Sequence, residues 1–316
     1  MSATKTSQAS TRDGFGDGLA EIGKQKEQVV TLTADLTDST KCSKFAKEFP
    51  NRFIQVGIGE QNMASIAAGL ALSGKIPYMA SYAVFSPGGN WASIRTSICY
   101  TNANVKIVAT HSGFSPAADG ATHQALEDIA ITRVLPNITV LVPCDYWQSL
   151  QATKAAAQVV GPVYIRLTRN DTPNITNAKT EFKIGKAQVL KTGTDVTVIA
   201  CGPIINEVLA AANELDYKKG PSLEIINVHT IKPLDVETIV KSAKKTGLVM
   251  TVEEHQVAGG LGSAIAEALS EIHPTKVHRM GAQDTFGESG TYEELLEKYG
   301  LSKKHIINKV LSILDK

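Results

Sequence analysis

The 316-residue sequence lacks a cysteine pair close enough in the chain to form a metal clip or a redox couple. Cys42, Cys99, Cys144 and Cys201 are far apart, and no CxxC occurs, so neither a zinc site nor a dithiol is indicated. Three of them sit in or near apolar runs, where cysteine behaves as a small buried hydrophobe. No apolar run approaches the roughly 20 residues of a membrane span. The opening segment MSATKTSQAS has no apolar core of the secretory kind, and residues 1–10 read as a loose tail. The cytosol is the expected compartment. With a formal net charge of +1, there is no broad attraction to nucleic acid or to a membrane. An anionic ligand must then be met by a few placed cations. No short internal repeat stands out.

What is present is a regular alternation. Strand patterns at Val29–Thr33, Arg52–Gly57, Ile76–Val84, Val105–Thr110, Ile138–Val142 and Val163–Thr168 are interleaved with helical ones at 60–73 and 145–159. A polar stretch, Thr172–Lys183, reads as a linker. The alternation then restarts with strands at Val196–Ala200, Leu223–Val228 and Leu248–Val252 and helices at 205–214, 235–244 and 261–271. The composition is 43% hydrophobic, enough for two cores. The expected fold is α/β, with two parallel-sheet domains divided near residues 175–190. In such sheets ligands bind beyond the carboxyl ends of the strands, so the loops after the strands are where chemistry belongs.

Those loops carry four candidate groups. Glu60, in Gly57-Ile-Gly-Glu-Gln-Asn62, opens a helix. A helix dipole alone favours a first-turn glutamate, but a buried carboxylate at a strand mouth also suits proton exchange. Tyr82 and Phe85 follow an apolar strand, either as core or as a platform for a flat heterocycle. His111 and His123 flank a loop containing Asp119, with a helix expected to begin near Ala125; solvated surface, sugar contacts and metal ligation all remain open, although the spacing fits no compact zinc pattern. Arg169 follows a strand, where it serves as a phosphate clamp or a surface ion pair. Two motifs are rejected. Gly16-Asp-Gly18 lies in a helical pattern without the strand that a diphosphate motif needs. Gly259-Gly-Leu-Gly262 lacks the Lys-Ser/Thr of a phosphate loop and reads as a tight strand–helix turn.

In order along the chain, the segments Thr11–Leu19, Ala34–Ser39, Gly57–Asn62, Ala83–Phe85, Ile94–Arg95, Val108–His111, Asp119–Asp128, Thr230–Asp235 and Val252–Gly262 resemble the transketolase family. The sequence resembles the C-terminal half of a transketolase split into two polypeptides. The resemblance implies a pyrimidine-binding domain over 11–173, a linker over 174–190 and a transketolase C-terminal domain over 191–316. It implies thiamine diphosphate and a divalent metal, Mg2+ or Ca2+, with the metal and diphosphate held mainly by an N-terminal transketolase subunit in an α2β2 assembly. Sugar phosphates are the implied substrates. Glu60 matches the glutamate that hydrogen-bonds the aminopyrimidine and promotes loss of the thiazolium C2 proton. Phe85 matches the stacking aromatic, Tyr82 a residue of the same pocket, and Asp35 a cofactor-proximal aspartate. His111 and His123 match histidines on the donor sugar, and Asp119 an aspartate that reads a sugar hydroxyl. Arg12, Ser39 and Arg169 match a phosphate-holding cluster.

Three departures stand near the substrate funnel: the loop Ser86-Pro-Gly-Gly-Asn90 followed by Trp91, Gly59 beside the glutamate, and the segment Ser112–Ala118. Deoxyxylulose-phosphate synthase and the β subunit of 2-oxoacid dehydrogenases are alternatives. The first is normally one long chain, and the second usually lacks Asp-Gly-x-Thr-His-Gln. A regulatory subunit that has kept the fold is a third; it would leave Glu60, Phe85, His111, Asp119 and His123 idle.

Overall fold

A computed structural model describes residues 8–314. The strands are β1 Gln8–Ala9, β2 Val29–Thr33, β3 Phe53–Gln55, β4 Ile76–Tyr82, β5 Lys106–Thr110, β6 Thr139–Leu141 and β7 Val163–Arg166. They continue with β8 Thr172–Pro173, β9 Gln188–Lys191, β10 Val196–Ala200, β11 Leu223–Asn227, β12 Thr230–Lys232, β13 Val249–Gln256 and β14 Val277–Ala282. Two α/β layers result. A seven-stranded sheet has the order β12-β6-β7-β5-β4-β2-β3, and a five-stranded sheet the order β14-β13-β10-β11-β9. Each is parallel except for one antiparallel edge strand, β12 in the first and β9 in the second. β2, β5 and β10 are buried along their whole length and β4 at all but its two end residues, which is why they are apolar-rich runs without alternation.

The two halves share more than a linker. β12 comes from the second half of the chain yet pairs with β6, Thr230 opposite Leu141. One core cluster accordingly runs from Leu32, Met63 and Ile107 through to Ile199, Ile226 and Leu261. A buried ion pair lies at this junction. Arg166 Nε is 2.7 Å from Asp128 Oδ2, Tyr164 donates its hydroxyl to the same oxygen at 2.6 Å, and Arg166 Nη2 donates to the Glu254 carbonyl at 2.8 Å.

Part of the expected tail is ordered by local chemistry. Residues 1–7 lie outside the described residues, but Gln8 and Ala9 pair with Pro173 and Thr172. Ser10 then caps the helix Thr11–Gln25, its hydroxyl accepting from Asp13 N. The glycines of Thr11–Leu19 serve this helix's packing: a Cβ on Gly14 would lie 2.1 Å from the Tyr146 carbonyl, and one on Gly18 2.9 Å from that of Leu150. The Gly259–Gly262 turn has an internal ligand. The Glu253 carboxylate accepts from Leu261 N at 2.6 Å and Gly262 N at 2.8 Å, filling the start of the helix Leu261–Ile272. Burial pushes this carboxyl up to about 7 against those two donors.

Two local expectations are corrected. The segment Ser86–Asn90 is not an open loop. It belongs to a wound turn, Val84–Gly89, closed by Gly88 N to Ala83 O at 3.1 Å and broken only at Ser86. The helix expected near Ala125 starts at Asp128, because the carbonyls of Ala125 and Leu126 instead accept from Gly113 N and Gln256 N.

Candidate active site

The carboxyl ends of β2, β3, β4 and β5 form one crest. Chain order reverses there: β3 lies on one side of β2 and β4 on the other, leaving a crevice where ligands of such sheets bind. Asp35 follows β2 and is exposed, with a left-handed backbone (φ 60°). Its N–H donates to Gln55 Oε1 at 2.8 Å, and Gly57 N donates to the same oxygen at 3.1 Å. One amide at the end of β3 thus ties the Asp35 loop to the Glu60 loop. Glu60 begins the helix Glu60–Leu72 and is half-buried. Its Oε1 accepts from Ser81 Oγ at 2.8 Å, and its carbonyl accepts from Asn90 Nδ2 at 2.9 Å. Ser81 is wholly buried in β4, so a polar residue inside an apolar strand has its reason in orienting this carboxylate.

Phe85 and Glu60 line one small cleft of about 220 Å³ with Ile58, Gly59, Gln61 and Gly89. Tyr82 does not line that cleft. Its ring lies between Phe85 (5.8 Å, 14°) and His111 (3.7 Å, 27°), on the histidine side of the shelf. His123 meets Phe85 edge-on at 5.5 Å. Trp91, the next aromatic, turns away, its indole N–H donating to the Ile131 carbonyl at 2.6 Å. Asn90 and Gln61 take the place beside Glu60 instead, with Gln61 Nε2 donating to Gly89 O at 3.4 Å.

His111 is buried and has φ 58°. Its Nδ1 is 2.9 Å from Thr110 Oγ1. Burial, then the charges of Arg12, Arg169 and His123, pull its imidazole down to about 3, so it is neutral at ordinary pH. Arg12 and Arg169 line a second, larger cleft of about 760 Å³, whose far wall is Gly290–Glu294 from the second half of the chain. Arg169 Nη1 reaches Asp119 Oδ2 at 3.1 Å and the Pro116 carbonyl at 3.2 Å. Arg12 Nη1 donates to Ser39 O at 3.0 Å, so Ser39 joins the cluster through its backbone rather than its hydroxyl. Arg12 Nε is buried with no partner among the described residues, and burial lowers the guanidinium below its ordinary value. Gln124, at the end of Asp-Gly-x-Thr-His-Gln, is a brace: its Nε2 donates to Ala117 O at 3.2 Å and Glu288 O at 2.9 Å.

These residues fit the pyrimidine end of thiamine diphosphate. A carboxylate with a fixed orientation and an aromatic ring open on the same cleft, and an added Cβ at Gly57 would meet nothing within 4 Å. Among the described residues no group of three or more His, Cys, Asp or Glu side chains is arranged to hold a metal.

The comparisons with known proteins decide the family. Residues 7–174 match the transketolase pyrimidine-binding domain and residues 185–306 the transketolase C-terminal domain. The chain belongs to the transketolase family. It is 44% identical over 308 residues to a Methanocaldococcus jannaschii protein named as a transketolase C-terminal section, covering 96% of both chains. It is 40% identical to a 6-deoxy-6-sulfo-D-fructose transketolase subunit of a Clostridium species, over 96% of this chain and 94% of that one. A solved split-gene transketolase, described as an inactive β4 tetramer, superposes with a TM-score of 0.88 at 44% identity, covering 97% of this chain and 98% of that one. No helix among the described residues of this transketolase-family chain is long and apolar enough to cross a membrane.

Proposed function

We propose that the chain is the pyrimidine-holding subunit of a two-subunit transketolase that moves a two-carbon ketol unit from a ketose phosphate to an aldose phosphate. The observation that carries this reading is the Glu60 carboxylate, oriented by Ser81 at a helix start and opening with Phe85 onto one cleft. Thiamine diphosphate, when bound, supplies the carbon nucleophile and electron sink that ketol transfer needs. Glu60 holds a ring nitrogen of the aminopyrimidine and exchanges a proton with it. Phe85 offers its ring to the heterocycle. His111, neutral because it is buried, and His123 hydrogen-bond sugar oxygens. Asp119 reads a hydroxyl while orienting Arg169, and Arg12 with Arg169 holds the anionic tail. Asp35 borders the cofactor through the loop that Gln55 fixes.

The diphosphate and its Mg2+ or Ca2+ fall to an N-terminal transketolase subunit, in an α2β2 assembly. The names of the relatives, a C-terminal section and a subunit, support this division, and so does the inactivity ascribed to the β4 neighbour. The sulfonated sugar in the Clostridium relative's name gives the tail cleft a second anion to be tested.

The test is ketol transfer from xylulose 5-phosphate to ribose 5-phosphate, with thiamine diphosphate and magnesium. It is run with the chain alone and with the complex the chain captures from its own cell extract. Activity of the complex only is the expected result. A stable but inactive complex rejects the pentose-phosphate assignment, and 6-deoxy-6-sulfofructose is then the donor to try. Activity of the purified chain alone overturns the two-subunit reading.

A further inference from the structure

The tail cleft has two walls from different halves of the chain, and one buried side chain touches both. The first wall is the loop Ser112–Asp119, which follows His111 and holds Arg169 through Ser115 Oγ (3.1 Å) and Pro116 O (3.2 Å). The second is Gly290–Glu294, with the phenol of Tyr292. Glu254 lies between them and is 3% exposed. Its Oε2 accepts the backbone N–H of Phe114 at 3.2 Å, and its Oε1 accepts the Tyr292 hydroxyl at 2.5 Å. We propose that Glu254 is a positioning residue that sets the width of the tail cleft by tying both walls to one carboxylate, and so governs which anionic substrates fit. The substrate part of this inference rests on the ketol-transfer reading above.

Four observations support the tie. First, Gly113 has a left-handed backbone (φ 63°), and a Cβ there would lie 2.8 Å from Glu254 Oε2 and 3.0 Å from Glu254 Cβ. The loop has therefore been brought down onto the carboxylate as closely as a glycine allows. Second, the ring of Phe114 stacks on Tyr299 at 4.6 Å and 19°, so the next residue of the loop is also held by the second half. Third, the Glu254 carbonyl accepts from Arg166 Nη2 at 2.8 Å, and Arg166 lies three residues before Arg169 on the same stretch of chain. Fourth, burying a carboxylate is expensive, and an apolar residue would fill a core position at lower cost. Burial raises the Glu254 carboxyl above its ordinary value, with the Tyr292 hydrogen bond, Arg166 and the Phe114 N–H pulling the other way. One acceptor oxygen for each wall is a function that an apolar residue cannot perform.

Two variants test the proposal in the complete complex. Glu254→Gln keeps the shape but retains only one acceptor oxygen, and Tyr292→Phe removes a single hydroxyl. In both, KM for a ketose phosphate is expected to rise about tenfold, with a smaller rise for a short ketose lacking a phosphate and no change in thiamine diphosphate affinity. In the chain alone, amide hydrogen exchange across Ser112–Asp119 and Gly290–Glu294 is expected to quicken in both variants. Unchanged exchange at both walls overturns the tie. Altered exchange with unchanged KM for the ketose phosphate overturns the claim on specificity. If Glu254→Gln fails to fold, Tyr292→Phe decides alone. If the wild-type complex turns over none of these sugars, the ketol-transfer reading fails by itself, and the exchange measurement still decides whether Glu254 joins the walls.

Discussion

The Glu60 cleft and the Arg12–Arg169 cleft lie on one crest but are built to different standards of enclosure. Around Glu60 every group comes from the first half of the chain, and the carboxylate is half-buried. Ile58, two residues away, is 88% exposed. Around Arg169 the walls come from both halves, His111 and Glu254 are buried, and each cation has an oxygen partner in place. The Arg12–Arg169 cleft is held by buried partners within this chain, Ser115 and Glu254. Under the proposed function the Glu60 face is the one that meets a second subunit, and it keeps a half-buried carboxylate and an exposed apolar side chain. The difference follows from desolvation. A carboxylate sealed within one chain would need all its partners there, whereas Glu60 has one hydroxyl donor in place.

That contrast is open to attack at four points. The largest effect is expected at Glu60. In the assembled complex, Glu60→Ala lowers kcat by about 10²–10⁴-fold without loss of assembly, read by steady-state turnover and size-exclusion chromatography. Unchanged turnover would remove the cofactor role from this cleft. Next is the junction that gives the second cleft its two walls. Arg166→Met leaves Asp128 buried without its cation and is expected to cost about 3–5 kcal/mol in urea unfolding. A loss below ~1 kcal/mol would mean that the ion pair does not hold the halves together.

Third, Arg169→Ala is expected to weaken binding of a phosphorylated donor by about 1.5–3 kcal/mol, seen as KM. The effect on a donor without a phosphate is smaller; an equal loss on both would deny the cleft its anion. The smallest effect concerns His111. Its folded pKa of about 3 lies below the ordinary 6.5, so between these values the unfolded chain binds the extra proton. Stability is therefore full above pH 6.5 and falls as the pH drops. On going from pH 7.5 to 5, wild type is expected to lose about 2 kcal/mol relative to His111→Gln. Parallel stability curves for the two proteins would show that His111 is not buried as described.

Much of the frame was legible because buried parallel strands leave unbroken apolar runs. β2 and β10 have the bounds their sequences suggest, and the helix Glu60–Leu72 starts where Gly59 gives way to Glu60. Elements beyond residue 272 went unread, although Thr291 and Glu294 form a capping box whose spacing is a start signal for the helix Tyr292–Lys298. In the candidate site, Tyr82, Phe85, His111 and His123 were read from separate motifs and lie in one ring cluster. Ser81, Gln55, Asn90 and Glu254 were passed over. Each acts through at least one hydrogen bond to a residue distant in sequence, and no local pattern records such a partner.

Periodicity alone implies two α/β layers, and the motifs in their order resemble the transketolase family, with a glutamate, aromatics and histidines at strand ends. These are local or linear properties, set by strand burial, by helix starts and by residue types at fixed spacing. Tertiary structure alone decided that β12 leaves its own half to edge the first sheet. It also decided that Tyr82 faces His111 rather than the Glu60 cleft, and that Glu254 reaches both walls of the tail cleft. Those outcomes depend on which buried donors and acceptors find each other once both sheets have packed. That pairing is a property of three-dimensional satisfaction of polar groups, which no stretch of sequence carries by itself.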